Sequence, residues 1–304
     1  MYTQGSNNGA PSVKSVGVVG LGTMGGPLAR RLLESGFDVH GTNRTAARAE
    51  TLRAHGLRWH ASPREVAAAV DVVISMVTDD RALAEITSGP DGILAGLTEG
   101  RVHVDMSSVS PQASVKVAEQ AAQTGARMLD APVSGSVPQV EQGALTIMVG
   151  GDEQTFEKVE GLLRHLGESV TRVGENGSGV LLKLAINVSL AVQALAFSEG
   201  LLLAERGGLD PRLAAQVMAG SAVGSPMLQA RAPLFLDLPE TAWFPMTLMH
   251  KDLRLALEAG HRNGIVLPTA ATAGSVLAEA EQLGYAGRDI AGLYEALATI
   301  SDQE

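Results

Sequence analysis

From residue 15 to about residue 174 the chain alternates two rhythms. Short runs of Val, Ile, Leu and Met give way to stretches in which apolar residues return every three or four positions. That alternation is what a parallel sheet with crossover helices requires. It predicts strands over residues 16–20, 38–42, 72–76, 102–105, 127–130 and 146–149. Between the first two, residues 24–35 place Leu28, Leu32 and Leu33 on one helical face, with the acidic Glu34 beside them. After Gly179 the strand signals stop, and Ala- and Leu-rich segments of helical period run to the end. The pattern therefore predicts an α/β chain: an N-terminal doubly wound parallel sheet followed by an all-α C-terminal domain.

The change falls in a glycine-rich hinge, Gly174 to Gly179, from which one helix is predicted to run to Arg206 and stop at Gly207-Gly208. At 1.5 Å per residue that helix is roughly 40 Å long, enough to join the domains and to wall a cleft between them. Pro226, Pro233, Pro239 and Pro245 predict an irregular connection between the later helices.

Composition narrows the partners. With 304 residues, 45% of them hydrophobic, the chain buries a large core and is expected to form two domains. A net charge of −10 disfavours nucleic acid and anionic lipid as partners, and the 23 Lys and Arg are not grouped in one stripe. The absence of Cys removes disulfides, thiol nucleophiles and thiolate zinc sites, and the seven His show no metal-binding spacing, so no metal is expected. Residues 180–204 are apolar enough to resemble a membrane span, yet they carry Lys183, Asn187, Gln193 and Glu199, which lipid would bury at high cost. A helix packed within protein is expected instead. Residues 1–13, small and polar without a signal-peptide core, read as a flexible arm of a cytoplasmic protein.

Several stretches carry candidate chemistry. Gly20-Leu21-Gly22-Thr23-Met24-Gly25 lies between a predicted strand and a helix, the context of a dinucleotide-binding Rossmann turn. In that reading Gly20 makes the tight turn, Gly22 admits a pyrophosphate and Gly25 permits close helix packing; the alternative is an ordinary glycine turn. At the end of the second strand, Asn43-Arg44-Thr45 stands where an NAD-binding protein places an acid. Arg44 suits a 2′-phosphate, with Asn43 and Thr45 adding neutral hydrogen bonds, so NADP is expected, with NAD as the alternative cofactor. A solvated arginine at a helix start is the bland reading. Asp130-Ala131-Pro132-Val133-Ser134-Gly135-Ser136 follows a strand at the carboxyl edge, where Ser134 and the Gly135 amide suit a carboxylate or merely build a turn. Lys183 and Asn187 share a helix face, as groups lining a polar cleft do, or as a snorkelling Lys does. Asp252, beside Lys251, is either a helix-start acid or a group that orients Lys183.

Taken together, GLGTMGGPLA, VDMSSVSP, LDAPVSGS, GSGVLLKLAIN and HKDLRLAL resemble, in order, the motifs of the β-hydroxyacid dehydrogenases. The family includes 3-hydroxyisobutyrate dehydrogenase and glyoxylate/succinic semialdehyde reductases. The resemblance spans about residues 16–297. It implies that Lys183 is catalytic, as proton donor and acceptor, and that Ser134, Gly135 and Asn187 bind substrate, with Ser136 grouped beside them. It also implies that Ser108 and Lys251 contact the cofactor, a set to which Val77 is added. A nucleotide-binding domain over residues 14–176, a helical substrate and dimerisation domain over 177–304, and a homodimer or homotetramer follow from it.

The expected activity is NADP(H)-dependent hydride transfer to or from a small carboxylate-bearing β-hydroxyacid or semialdehyde. Ser107-Ser108 replaces the family's frequent Ser-Thr, and Ile186 precedes Asn187 where many members have a second Asn. The latter, with Ser225-Pro226-Met227, resembles the semialdehyde reductase branch. Two alternatives stand beside this reading. Imine reductases share the fold but commonly replace the Lys and lack the DAPVSG segment. Non-catalytic NADP-binding modules have lost the Lys.

Overall fold

The computed structural model describes residues 13–303, so the arm expected over residues 1–13 lies, apart from Val13, outside the described residues. The chain divides into two compact units, residues 1–183 and 184–304.

Among the described residues the first unit is built on nine strands: β1 Ser15–Val19, β2 Asp38–Thr42, β3 Arg58–Trp59, β4 Val72–Ser75, β5 Val102–Asp105, β6 Arg127–Asp130, β7 Val133–Ser134, β8 Thr146–Gly150 and β9 Ser169–Gly174. Their order is 3-2-1-4-5-6-8-7, with β9 paired to β8. The first six run parallel in the Rossmann order, and β8 then runs antiparallel to both β6 and β7 while pairing parallel with β9. All six predicted strands are present, with ends differing by one residue at β1, β4 and β8. Strands β3, β7 and β9 were not anticipated. Two of them are only two residues long, and β9, SVTRVG, is mostly polar or half-exposed, so neither length nor burial marks them as strands.

Strands covered on both faces need continuous apolar runs, and β4, VVIS, is buried at every position. Helices fill the gaps between strands. Gly25–Glu34 buries Leu28 and Leu32 completely against the sheet, while Leu33 packs at the margin of the same core. Helix starts are capped by side chains: Ser62, Asp79, Ser110 and Asp152 each accept a backbone N–H three residues on.

The register levels the strand ends. Thr42, Val19, Ser75, Asp105, Asp130 and Gly150 are successive partners across β2, β1, β4, β5, β6 and β8, so they form one row at the carboxyl edge. Every member of the row is buried.

The helix Ser178–Arg206, 29 residues long, begins in the first unit and continues into the second. It ends before Gly207-Gly208, where the Gly207 N–H bonds to Leu203 and Gly208 takes φ +89°. It is long and apolar enough to cross a membrane by length and composition, with 39% of its most apolar window buried.

The second unit adds helices Pro211–Gly220, Pro226–Leu236, Met246–Arg262, Pro268–Ala280 and Leu293–Ser301. Its core gathers Phe197, Leu201, Phe235, Met246, Met249, Leu253 and Leu277. Here the expectation of an irregular proline-marked connection holds for Pro239 and Pro245, in the irregular stretch 237–245, and is corrected for Pro226 and Pro233. Pro226 opens a helix behind the Ser225 cap, where its missing N–H costs nothing, and Pro233 sits inside that helix near its end, removing a single bond. The pair Arg231–Asp289, joined at 2.8 Å and buried, ties this helix to the loop before Leu293–Ser301. Asp289 also accepts the Phe244 and Ala291 N–H groups.

Candidate functional site

At the nucleotide turn, Gly20 takes φ +98°, and a Cβ there would fall on the Met76 carbonyl oxygen. A Cβ at Gly25 would fall on the Gly20 carbonyl oxygen, so no side chain fits at either position. Gly22 differs: its Cβ position meets only the Arg48 Nη1, at 3.8 Å. The space above this turn is therefore open and faces a guanidinium. The helix that follows has neither a capping side chain nor an acid in its first turn, which leaves its amide end for an anion. Thr23 is exposed and Met24 half-buried at the mouth of the turn.

Asn43 accepts the Leu21 N–H at 3.0 Å and donates to the Thr45 carbonyl, so it laces the turn to the end of β2. Arg44 and Thr45 are exposed beside it. Arg48, in the 3-10 turn Ala46–Ala49, was missed by the sequence reading. Its spacing of four from Arg44 was the available signal.

The carboxyl-edge row supplies a buried chain of hydrogen bonds. Ser75 and Ser107 donate their hydroxyls to Asp105 Oδ1 at 2.6 and 2.7 Å, and the Val77 N–H donates to Ser107 Oγ at 2.9 Å. Burial alone pushes His103 down to about 3, so the ring is neutral. Because the Ser75 proton goes to Asp105, His103 Nε2, 2.8 Å from Ser75 Oγ, must be the donor there. Burial pushes Asp105 up to about 6, opposed by the bonds from Ser107 and Ser75 and reinforced by the Asp130 carboxylate. Val77 also packs by Gly20, whose Cβ position lies 3.4 Å from Val77 Cγ1. Ser108 is half-buried beside Ser107.

The next loop carries Ser134, half-buried at the end of β7, and Gly135, exposed with φ +133°. Ser136 is committed to its own helix: its N–H and hydroxyl both donate to Gln139 Oε1, at 2.9 and 2.8 Å. It shapes the loop and has its hydroxyl proton engaged. Asp130, fully buried at the end of β6, accepts the Gly177 N–H on Oδ1 at 2.8 Å and the Val180 N–H on Oδ2 at 3.0 Å. It thus fastens the first turn of the helix that bears Lys183. That lysine is only 8% exposed, and Asn187, one turn further along, is fully buried.

In the second unit the Asn187 Nδ2 donates to Asp252 Oδ2 at 2.5 Å, and Lys251 Nζ lies 2.9 Å from Asp252 Oδ1. Asp252 stands well inside the helix Met246–Arg262, so it is not a helix-start acid. Its carboxylate holds Asn187 and Lys251. The Asn187 Oδ1 is buried without a protein donor, an acceptor left for a ligand or water. Trp243 stacks near Arg231, 5.6 Å from its guanidinium, and Phe244 packs on the helical core. No group of three or more His, Asp and Glu suited to a metal occurs among the described residues.

The glycine cradle, the uncapped helix start and the guanidinium over Gly22 all fit a dinucleotide. Residues 15–174 match the family model of the NAD binding domain of 6-phosphogluconate dehydrogenase, and residues 177–297 match that of NAD-binding of NADP-dependent 3-hydroxyisobutyrate dehydrogenase. Glyoxylate/succinic semialdehyde reductase 2 of Arabidopsis thaliana, a chloroplastic protein, is 33% identical over 290 residues, covering 95% of this chain and 81% of that protein. The 2-(hydroxymethyl)glutarate dehydrogenase of Eubacterium barkeri is 34% identical over 279 residues, 91% of this chain and 93% of that one. A solved structure described as Psf3 in complex with NADP+ and 2-OPP superposes with a TM-score of 0.86 at 26% identity, covering 93% and 99% of the two chains. On these matches the chain belongs to the β-hydroxyacid dehydrogenase family and is an NAD(P)-dependent oxidoreductase acting on CH–OH groups.

Proposed function

We propose that the protein is an NADP(H)-dependent reductase of small carboxylate-bearing semialdehydes, and a dehydrogenase of the matching β-hydroxyacids in reverse. The observation that carries this reading is a buried lysine, Lys183, one helical turn from a buried asparagine with a spare acceptor, on a helix whose first turn is fastened by Asp130. A buried amine with a polar neighbour is the residue type that proton transfer to an alkoxide needs.

When bound, the nicotinamide supplies or accepts the hydride. Gly20, Leu21, Gly22, Thr23, Met24 and Gly25 hold the pyrophosphate. Arg44, with Thr45 and Arg48, takes the 2′-phosphate, a choice supported by two guanidinium groups and no acid at the end of β2. Val77, Ser108 and Lys251 complete the cofactor contacts. Lys183 Nζ gives a proton to the forming alkoxide in reduction and removes the hydroxyl proton in oxidation. Ser134 and the Gly135 amide bind the carboxylate, so that binding energy away from the reacting carbon fixes its orientation. Asn187 orients the substrate, and Asp252 orients Asn187.

The relatives' named substrates, glyoxylate, succinic semialdehyde and 2-(hydroxymethyl)glutarate, all bear a carboxylate and support that class. In this reading residues 14–176 bind the nucleotide, and residues 177–304 serve substrate binding and homo-oligomer contacts. The protein works in the cytoplasm, away from membranes and nucleic acid. Steady-state rates with NADPH and NADH against a panel of semialdehydes, glyoxylate and cyclic imines test it. Turnover of the carboxylate aldehydes with preference for NADPH is expected. Turnover confined to cyclic imines, or none with any aldehyde, overturns it.

A further inference from the structure

Two buried carboxylates sit side by side in the carboxyl-edge row, paired in register on β5 and β6. Neither is assigned a chemical step. Each is hydrogen-bonded in a different direction, and those directions lead to two different parts of the candidate site.

Asp105 points its bonds toward β4. Through the Ser107 hydroxyl it fixes the N–H of Val77, the residue that packs beside Gly20 of the nucleotide turn. The same oxygen takes the Ser75 hydroxyl, which in turn accepts from His103, so one acceptor orients two hydroxyl protons away from Val77. That leaves a lone pair of Ser107 Oγ for the Val77 amide. Asp130 points the other way. Its two oxygens each receive one amide of the segment that starts the Lys183 helix, and it lies in a pocket of glycines: a Cβ at Gly150 would come within 2.7 Å of its carboxylate and one at Gly179 within 2.8 Å. A bidentate tie to two amides of one turn fixes both the position and the rotation of that turn, and thereby the direction in which residue 183 leaves the helix.

We propose that Asp105 and Asp130 are positioning residues with divided targets, Asp105 setting the cofactor loop at Val77 and Asp130 setting the helix turn that aims Lys183. The inference rests on the proposed function for what the two targets do, though not for the geometry that separates them. The titratable groups that face Asp105 are His103 on its own strand and Asp130 on β6, while β4 presents Ser75. Above pH about 6 the ionised Asp105 draws both hydroxyl protons to itself. Protonation weakens that pull and loosens Val77, so cofactor affinity falls on the acid side.

The test compares Asp105→Ala, Ser107→Ala and Asp130→Asn with the full wild-type chain. NADPH affinity is followed by nicotinamide fluorescence, kcat at saturating NADPH by absorbance, and backbone hydrogen exchange by mass spectrometry without cofactor. Asp105→Ala and Ser107→Ala should weaken NADPH binding by about tenfold or more, change kcat less than about threefold, and speed exchange around residue 77 but not around residues 177–180. Asp130→Asn replaces one acceptor by a donor facing an amide. It should lower kcat by about tenfold or more, leave NADPH affinity within about twofold, and speed exchange around residues 177–180 alone.

A pH series adds a readout that loss of packing would not produce. Removing the Asp130 charge lowers the midpoint of the acid loss of affinity, and Asp105→Asn flattens it. Because the 2′-phosphate titrates in every variant alike, only differences between variants are read. Ser107→Ala serves where Asp105→Ala fails to fold, since it breaks the same chain without touching the carboxylate. If both classes of variant move both parameters and both peptides together, the division of targets is overturned. A wild-type protein that neither binds NADPH nor reduces any aldehyde refutes the proposed function instead, and the exchange pattern then still decides the positioning claim.

Discussion

Both units bury charge, but they bury it in different settings. In the first, Ser75, Asp105 and Asp130 stand at the ends of neighbouring strands, and their partners are hydroxyls and backbone amides of the loops just beyond. In the second, Arg231 and Asp289 meet as an ion pair whose remaining capacity is filled by the Phe244 and Ala291 amides. The first arrangement fixes the backbone of loops that bear the candidate site; the second closes on itself. Burial of a charge is therefore not a mark of function on its own. What distinguishes the two is where the hydrogen bonds lead and whether an acceptor is left over, as at Asp105 Oδ2.

The sharpest way to break that distinction is at Lys183. Removing a general acid typically costs about 10² to 10⁴ in rate, so Lys183→Met should lower kcat by roughly that factor. NADPH affinity should stay within a few-fold, and the melting temperature should change little, because the unbranched apolar chain keeps the helix position filled. Near-wild-type turnover, from single-turnover reduction with NADPH, refutes the assignment. A collapse in melting temperature makes the lysine structural.

The self-contained pair should behave in the opposite way. Arg231→Met leaves Asp289 buried without its cation, at a cost of about 3–5 kcal/mol. Denaturant unfolding should show that loss, while kcat per folded molecule stays unchanged. If activity falls in proportion to stability without any unfolding, the two settings are not separate after all.

A smaller effect is expected at the exposed edge of the nucleotide site. Arg44→Asp removes a charge-assisted bond worth about 1.5–3 kcal/mol and adds repulsion, so NADPH affinity should drop by about tenfold or more while NADH affinity barely changes. Titrations with the two cofactors decide it; equal losses sink the NADP preference.

The smallest net effect concerns acid stability. His103 is held neutral, its folded value of about 3 lying below the ordinary 6.5, so the folded state binds fewer protons than the unfolded one in that window. Its contribution is therefore present above pH 6.5 and is lost as pH falls toward 3. Asp105, raised from 3.8 to about 6, acts in the opposite sense between those values. His103→Asn, which keeps a donor for Ser75, should flatten the acid loss and expose the Asp105 slope, measured as urea midpoints from pH 4 to 7. An unaltered pH dependence would show that the ring is not excluded from protonation.

Much of the architecture was legible because single positions carried it. The apolar runs of β1 and β4 admit no other reading once Gly20 and Gly25 bracket a turn that excludes side chains. The end of the long helix at Arg206 was marked by two glycines. What escaped was relational. That Asp105 and Asp130 lie abreast depends on strand register across a crossover helix, which no local window contains. Arg48 reaches Gly22 only because a 3-10 turn swings it back. Asn43 and Ser136 were expected at the site from their motifs, but the direction of their bonds, to Leu21 and Gln139, is a property of the folded loops. The helix at Pro226 was missed because proline was weighed as a breaker and not as a first-turn residue.

During synthesis, the helix Ser178–Arg206 leaves the ribosome well before the segments that enclose its second half. Its partners, among them Phe235, Met249 and Leu277, lie downstream, up to roughly 100 residues from its end, which take on the order of 5–20 s to make at usual rates. In that interval a window of mean hydropathy 1.9 is exposed to any machinery that sorts nascent chains by greasiness. Lys183, Asn187, Gln193 and Glu199 each raise the cost of a move into lipid at that stage. Lys183 and Asn187, proposed to serve chemistry in the finished protein, thus also count against a move into lipid, and replacing both together with apolar residues should raise the share of misrouted or aggregated chains.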